Sequence, residues 1–272
     1  LLSMDAEFMS ESLTPEELDA SGGRIHPGLL RMVARSLDIP SQSIEDLEMQ
    51  LIDLQPSTIG GASQEFIYSG RLDNLCSAYQ CLRAVIDTSP DTEPSTVKIA
   101  MLFDHEEIGS NSCQGAGSSM FMDTMKRIHE SLFGATSSTS FMRSLRRSFV
   151  VSADMAHGLH PNYVGKHDSS MAPLLNQGLV IKHNANQRYA TNALSATVFR
   201  RAAKMEGIPV QEFTVRADSA CGSTIGPIIA TLSGILTVDC GTPQFSMHSI
   251  REMMGTADAY TGYAHLSAVL KH

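Results

Sequence analysis

The chain has 272 residues, a formal net charge of −9, 42% hydrophobic and 18% charged residues. That is enough for one large α/β domain or two smaller ones, and too apolar for a disordered chain. The acidic balance argues against a nucleic-acid partner, and no run of 18 apolar residues exists to span a membrane.

Residues 1 to about 24 are polar and acidic and end in Ser21-Gly22-Gly23, which predicts a mobile loop. They lack the basic and apolar regions of a signal peptide. From His26-Pro27 the pattern predicts an amphipathic helix stopped by Pro40, and DLEMQLIDLQP alternates as a strand would up to Pro56. From Asp73 onward helices and buried strands alternate. Helices are expected over 74–86, 118–132, 190–206 and 222–232, with the start of a last one over 247–254. Strands are expected over 96–103, 147–153, 210–215 and 234–239. This order predicts an α/β fold with a largely parallel central sheet covered on both faces.

Five cysteines, an odd number without a CxxC pair, argue against a disulfide framework and point to a reducing compartment, hence a cytoplasmic protein. The polar residues gather where the expected elements begin or end. Strand 96–103 runs into Asp104-His-Glu106-Glu107, strand 147–153 into Asp154-Met-Ala-His157, and Asp73 and His248 stand at helix starts. Carboxylates and a histidine at neighbouring element ends would repel one another unless cations held them, and mixed oxygen and imidazole donors fit zinc, with cobalt or manganese as substitutes. The Glu106-Glu107 pair can divide its labour between general base and ligand. Taken singly, each element has an ordinary reading: a solvated acidic loop, a helix cap, a surface lysine at Lys182.

Together, Gly70-Arg-Leu-Asp73-Asn-Leu, Asp104-His-Glu106-Glu107-Ile-Gly-Ser, Ser152-Ala-Asp154-Met-Ala-His157, Gln187-Arg-Tyr189-Ala, Cys221-Gly-Ser-Thr-Ile-Gly-Pro227 and Met247-His248-Ser-Ile-Arg-Glu252 resemble the aspartyl aminopeptidases over roughly residues 26–256. The resemblance implies a phosphorylase/hydrolase-like three-layer sandwich with two Zn2+ ions, Co2+ or Mn2+ being able to substitute. It implies metal ligands at Asp73 (bridging), Glu107, His248 and Asp154, and Glu106 as the general base that takes a proton from the attacking water. Glu106, Asp154, His157, Lys182 and Tyr189 would hold a peptide with an acidic N-terminal residue. It further implies self-association into dodecamers, with residues 1–60 a remnant of an inserted dimerisation domain and 61–272 the catalytic domain.

The family also carries a histidine ligand in an upstream His-x-Asp motif. Upstream of Asp73 this sequence holds only His26, in His-Pro-Gly. The expectation is therefore a truncated chain whose second zinc keeps only Asp73 and Asp154, with weak peptidase activity by itself. A catalytically incomplete fragment, or another two-metal peptidase or amidohydrolase, stays open as the alternative.

Overall fold

The computed structural model describes residues 24–88, 96–134 and 138–272. The chain divides into two units, Leu1–Asp53 and Leu54–His272. In the first, α1 (Pro27–Leu37) starts with proline at its first turn and the His26 ring accepting the Gly28 N–H, and it ends at Asp38 in the left-handed conformation. Leu30, Ala34 and Ile44 form its small core. The loop expected before it lies, but for Arg24, outside the described residues.

The second unit carries the order β1 (Thr58–Gly60), β2 (Phe66–Ser69), α2 (Leu72–Asp87), α3 (Met120–Phe133), α4 (Ser138–Arg146), β3 (Phe149–Ala153), β4 (Ala156–His157), β5 (Leu179–His183), α5 (Ala193–Met205), β6 (Val210–Thr214), α6 (Ile225–Ser233), β7 (Leu236–Gly241), β8 (Pro243–Phe245), β9 (Glu252–Gly255) and α7 (Thr256–Lys271). One sheet has the order β1-β2-β9-β8-β4, the other β3-β7-β5-β6. The second is the apolar centre. Leu179, Ile181, Val238 and Cys240 pack against Ala84 of α2, Ala196 and Phe199 of α5 and Leu266 of α7. Phe121, Leu145, Ile229 and Ile235 build a cluster with α3, α4 and α6, which Val150 joins.

Four expectations are corrected. The central sheet is mixed: β3 runs parallel to β7 and β5 to β6, but β5 runs antiparallel to β7. No helix of crossover length separates β3 from β5, so the chain returns in the opposite direction. Residues 96–103 form no strand. Met101 and Phe103 do pack into a cluster, but this run pairs with no strand among the described residues, and Val97, Ile99 and Leu102 stay exposed. Residues 47–56 likewise form no strand, because their alternation finds no surface to cover and Leu51 is 99% exposed. Nor does a helix start at Met247. Ser246 and His248 have positive φ, and Glu252–Gly255 is strand β9, paired with β2 and β8.

Along α2, Leu75, Tyr79, Leu82 and Ile86 recur at helical spacing on an exposed stripe. Among the described residues no helix is long and apolar enough to cross a membrane. All five cysteines are free; burial pushes the thiols of Cys76 and Cys81 up to about 12 and about 11, as for inert packing groups, whereas Cys113 is exposed.

His265 in α7 is fully buried against Phe199, ring centroids 3.9 Å apart, and its Nε2 lies 2.9 Å from the Phe199 carbonyl. Burial lowers its pKa from 6.5 to about 4. In that window the unfolded chain binds a proton that the native state refuses, so stability contributed above the upper value drains away on acidification. The stability difference between wild type and His265→Gln is therefore expected to change in the variant's favour by about 2–3 kcal/mol from pH 6.5 to 4. Urea midpoints across that range check this, and a pH-independent difference would contradict it.

Candidate metal centre

Asp73 lies in the first turn of α2, where the helix is irregular: Arg71 is left-handed and Asp73 has φ −81° and ψ 109°. The next side chain ties this turn to the end of β3, with Asn74 Nδ2 donating to the Ala153 carbonyl at 2.8 Å. That bond brings Asp73 beside Asp154, the residue following β3. Asp154 itself is set by its N–H donating to the Cys240 carbonyl at 2.9 Å. Gly241 permits this close passage, since a Cβ there would collide with the Asp154 carbonyl.

Glu106 and Glu107 sit in a tight turn closed by the Ser110 N–H on the His105 carbonyl and the Gly109 N–H on the Glu106 carbonyl, both 2.9 Å. His105, Gly109 and Ser110 take positive φ there. A similar turn, with the Ser249 N–H on the Ser246 carbonyl, presents His248.

These three segments meet. His248 Nε2 lies 3.1 Å from Asp73 Oδ2 and 3.1 Å from Glu107 Oε1. One donor atom from each of Asp73, Glu107 and His248 falls within 4.8 Å of the others. The Asp73 side chain is nearly buried; the other two open to solvent. Asp154 interacts with Asp73 on one side and with Lys182 on the other, the Lys182 ammonium standing 3.1 Å from Asp154 Oδ2. Lys182, in β5, is only 3% exposed and hovers 5.5 Å from the centre of the Tyr189 ring.

The electrostatics test whether the set fits a cation. Burial, followed by the charge of Asp154, raises Asp73 to about 7. Burial, followed by the charges of Asp154 and Glu107, raises Glu106 to about 7. Burial lowers the pKa of His157, assisted by the positive field of Lys182. Burial also drives the Tyr189 phenol well above its ordinary value. Four crowded carboxylates, of which Asp73 and Glu106 are held back from ionising, with an imidazole among them, are a donor set that a divalent ion would relieve, and zinc accepts both donor types. The residues fit the metal. All eight side chains singled out from the sequence thus lie in one neighbourhood.

One residue escaped the sequence reading. Asp239 is fully buried in β7, where its carboxylate accepts the Ala190 N–H and the Thr224 hydroxyl, both at 2.6 Å. Gly226 leaves the space that this carboxylate fills. It ties the segment after Tyr189 to the start of α6. The available signal was a lone acid inside the apolar run Leu236-Thr-Val-Asp239-Cys-Gly, since buried acids are rare unless partnered.

Residues 3–269 match the family described as aminopeptidase I zinc metalloprotease (M18). A Ricinus communis protein called "Probable aspartyl aminopeptidase" is 51% identical over 89% of this chain and 50% of its own length. The aspartyl aminopeptidase of Dictyostelium discoideum is 43% identical over 91% of this chain and 53% of its own length. The chain spans about half the length of these curated relatives. Among solved structures, a chain from the cryo-EM structure of the Ape4 and Nbr1 complex superposes with a TM-score of 0.85 at 40% identity, covering 95% of this chain and 50% of that one. A chain of the S. cerevisiae mApe1 dodecamer superposes with a TM-score of 0.82 at 28% identity, over 96% and 59%.

Proposed function

Because this chain belongs to the aminopeptidase I zinc metalloprotease (M18) family, we propose that it carries the catalytic machinery of a zinc aminopeptidase that releases N-terminal aspartate or glutamate from peptides. The observation that supports this most directly is the convergence of Asp73, Glu107 and His248 within 4.8 Å, beside a buried lysine. In this reading those three residues hold one Zn2+, and Asp73 together with Asp154 addresses a second. Bound there, zinc supplies Lewis acidity that polarises a scissile carbonyl and acidifies water.

The remaining work falls to the protein. Glu106, raised to about 7, takes a proton from the attacking water near neutral pH and returns it to the leaving amine. Lys182 meets the acidic side chain of the substrate. A desolvated ammonium rewards a second, matching carboxylate, whereas a neutral residue leaves it with Asp154 as its one anionic partner. Asp154 and Glu106 face the cationic N-terminus, and His157, held neutral by burial and by Lys182, and Tyr189 line the approach. Two carboxylates alone make a poor zinc site, so this polypeptide by itself works slowly, and Co2+ or Mn2+ can substitute.

We read the helices on both faces of the β3-β7-β5-β6 sheet as the phosphorylase/hydrolase-like three-layer sandwich, residues 61–272 as the catalytic domain and 1–60 as part of a dimerisation domain. The protein is cytoplasmic and self-associates, as the mApe1 dodecamer does.

Zinc titration of the chelator-stripped chain, followed by assay on aspartyl, alanyl, N-acyl and C-terminal test peptides, checks the reading. One firmly held zinc per chain and slow turnover confined to the acidic N-terminal substrate are expected. Preference for an N-acylated or C-terminal substrate would favour an amidohydrolase or carboxypeptidase instead, and absence of zinc binding would leave a catalytically incomplete fragment.

A further inference from the structure

We propose that Glu252 is a positioning residue that clamps two of the three candidate zinc ligands, Asp73 and His248, by their backbones. The inference rests on the metal reading above and adds the part that holds the ligands in place.

Glu252 opens β9 and is 2% exposed. Its Oε2 accepts the Asp73 N–H at 3.0 Å, and its Oε1 accepts the His248 N–H at 2.9 Å. The Gln244 side-chain amide approaches the same Oε1 at 3.4 Å. A single buried carboxylate thus joins two segments from opposite ends of the Leu54–His272 unit, and both of its oxygens are used. Its oxygens go to backbone amides rather than to the cluster of donor atoms, which comprises Asp73, Glu107 and His248, so it acts through the ligands.

Asp73 takes extended backbone dihedrals at the irregular start of α2, and the hold matters most at His248. His248 has φ +66°, a conformation that a residue with a side chain keeps only where its surroundings impose it. The His248 ring is 61% exposed, so side-chain packing does little to fix it, and the amide is where it is gripped. The grip comes from a rigid element. β9 is laddered to β2 on one side, with Glu252 opposite Ser69, and to β8 on the other. Groups that orient metal ligands influence affinity nearly as much as some ligands do.

Glu252→Gln keeps the size but offers one acceptor, and its NH2 must face one of the two backbone N–H groups. Zinc affinity of the folded variant, measured by competition with a chromophoric chelator, is expected to weaken about 10–100-fold, with an altered visible spectrum of the Co2+-loaded form. Asp258→Asn is the matched control. Asp258 is equally buried and accepts the N–H groups of Asn176 and Gly178 in another part of the fold. It is expected to lower the melting temperature of the metal-free chain while leaving zinc affinity within about twofold. Unchanged affinity and spectrum in Glu252→Gln would overturn the proposal, as would an equal loss in Asp258→Asn.

Amide hydrogen exchange on the metal-free wild type gives a test that survives a folding failure of the variant. Protection of the Asp73 and His248 N–H groups supports the clamp and fast exchange at both rejects it. If zinc binds neither wild type nor variant, the metal reading fails, and the exchange result still decides the clamp.

Discussion

Replacing Lys182 with methionine is expected to lower the stability of the metal-free chain by about 3 kcal/mol, or roughly 6–10 °C in melting temperature. Methionine preserves most of the stem's packing, so the loss isolates the charge. Lys182 is nearly buried, its ammonium is 3.1 Å from an Asp154 oxygen, and the Asp154 side chain is only 23% exposed. Removing one member of such a pair strands the other. Here the stranded carboxylate also stands beside Asp73, already raised to about 7. Zinc is expected to restore more stability to the variant than to wild type, because it then supplies the missing positive charge. If Lys182 also meets the substrate's acidic side chain, the preference for aspartyl over alanyl peptides falls by about 10²-fold. Calorimetry with and without zinc, then paired assays, measure both. A melting temperature within a degree of wild type would show that the pair contributes little.

Glu106→Gln should reduce turnover of an aspartyl peptide by about 10²–10⁴-fold while the bound zinc is unchanged. Glu107→Gln should instead lose zinc, because Glu107 lies at 3.1 Å from His248 within the donor cluster. The two adjacent glutamates therefore separate in a paired measurement of metal content and rate. A Glu106 variant retaining more than a tenth of the rate would remove it from the proton-transfer role.

The helices were the most legible part of the fold. α1, α2, α3 and α5 carry apolar residues at helical spacing, with Asn192 marking the start of α5 by accepting the N–H groups of Leu194 and Ser195. Strands are properties of pairs, and there the reading weakened. Residues 96–103 have the composition of a strand, yet a ladder needs a neighbour. The short β1, β2, β8 and β9 are set by one another rather than by their own few residues. The last helix was misplaced because Met247–Met254 is apolar enough for one, while the positive φ at His248 comes from a turn that composition does not reveal. The strand expected before Glu106 and the helix expected at His248 do not form. Even so, the candidate site was proposed from chemistry that is local in the sequence, since acidic and histidine side chains within short motifs are visible in one dimension. Asp239 and the grip of Glu252 on two distant amides were not, since both work through backbone partners far away in sequence.

The stripe formed by Leu75, Tyr79, Leu82 and Ile86 on α2 also governs how the polypeptide behaves in a tube. Four oily side chains in a row favour sticking between molecules, and the net charge of −9 is what keeps copies apart. That colloidal repulsion reaches about 30 Å in 10 mM salt but only about 8 Å at physiological ionic strength. Dilute buffer therefore favours separation of the molecules, whereas ammonium sulfate, which both screens charge and strengthens apolar attraction, favours association.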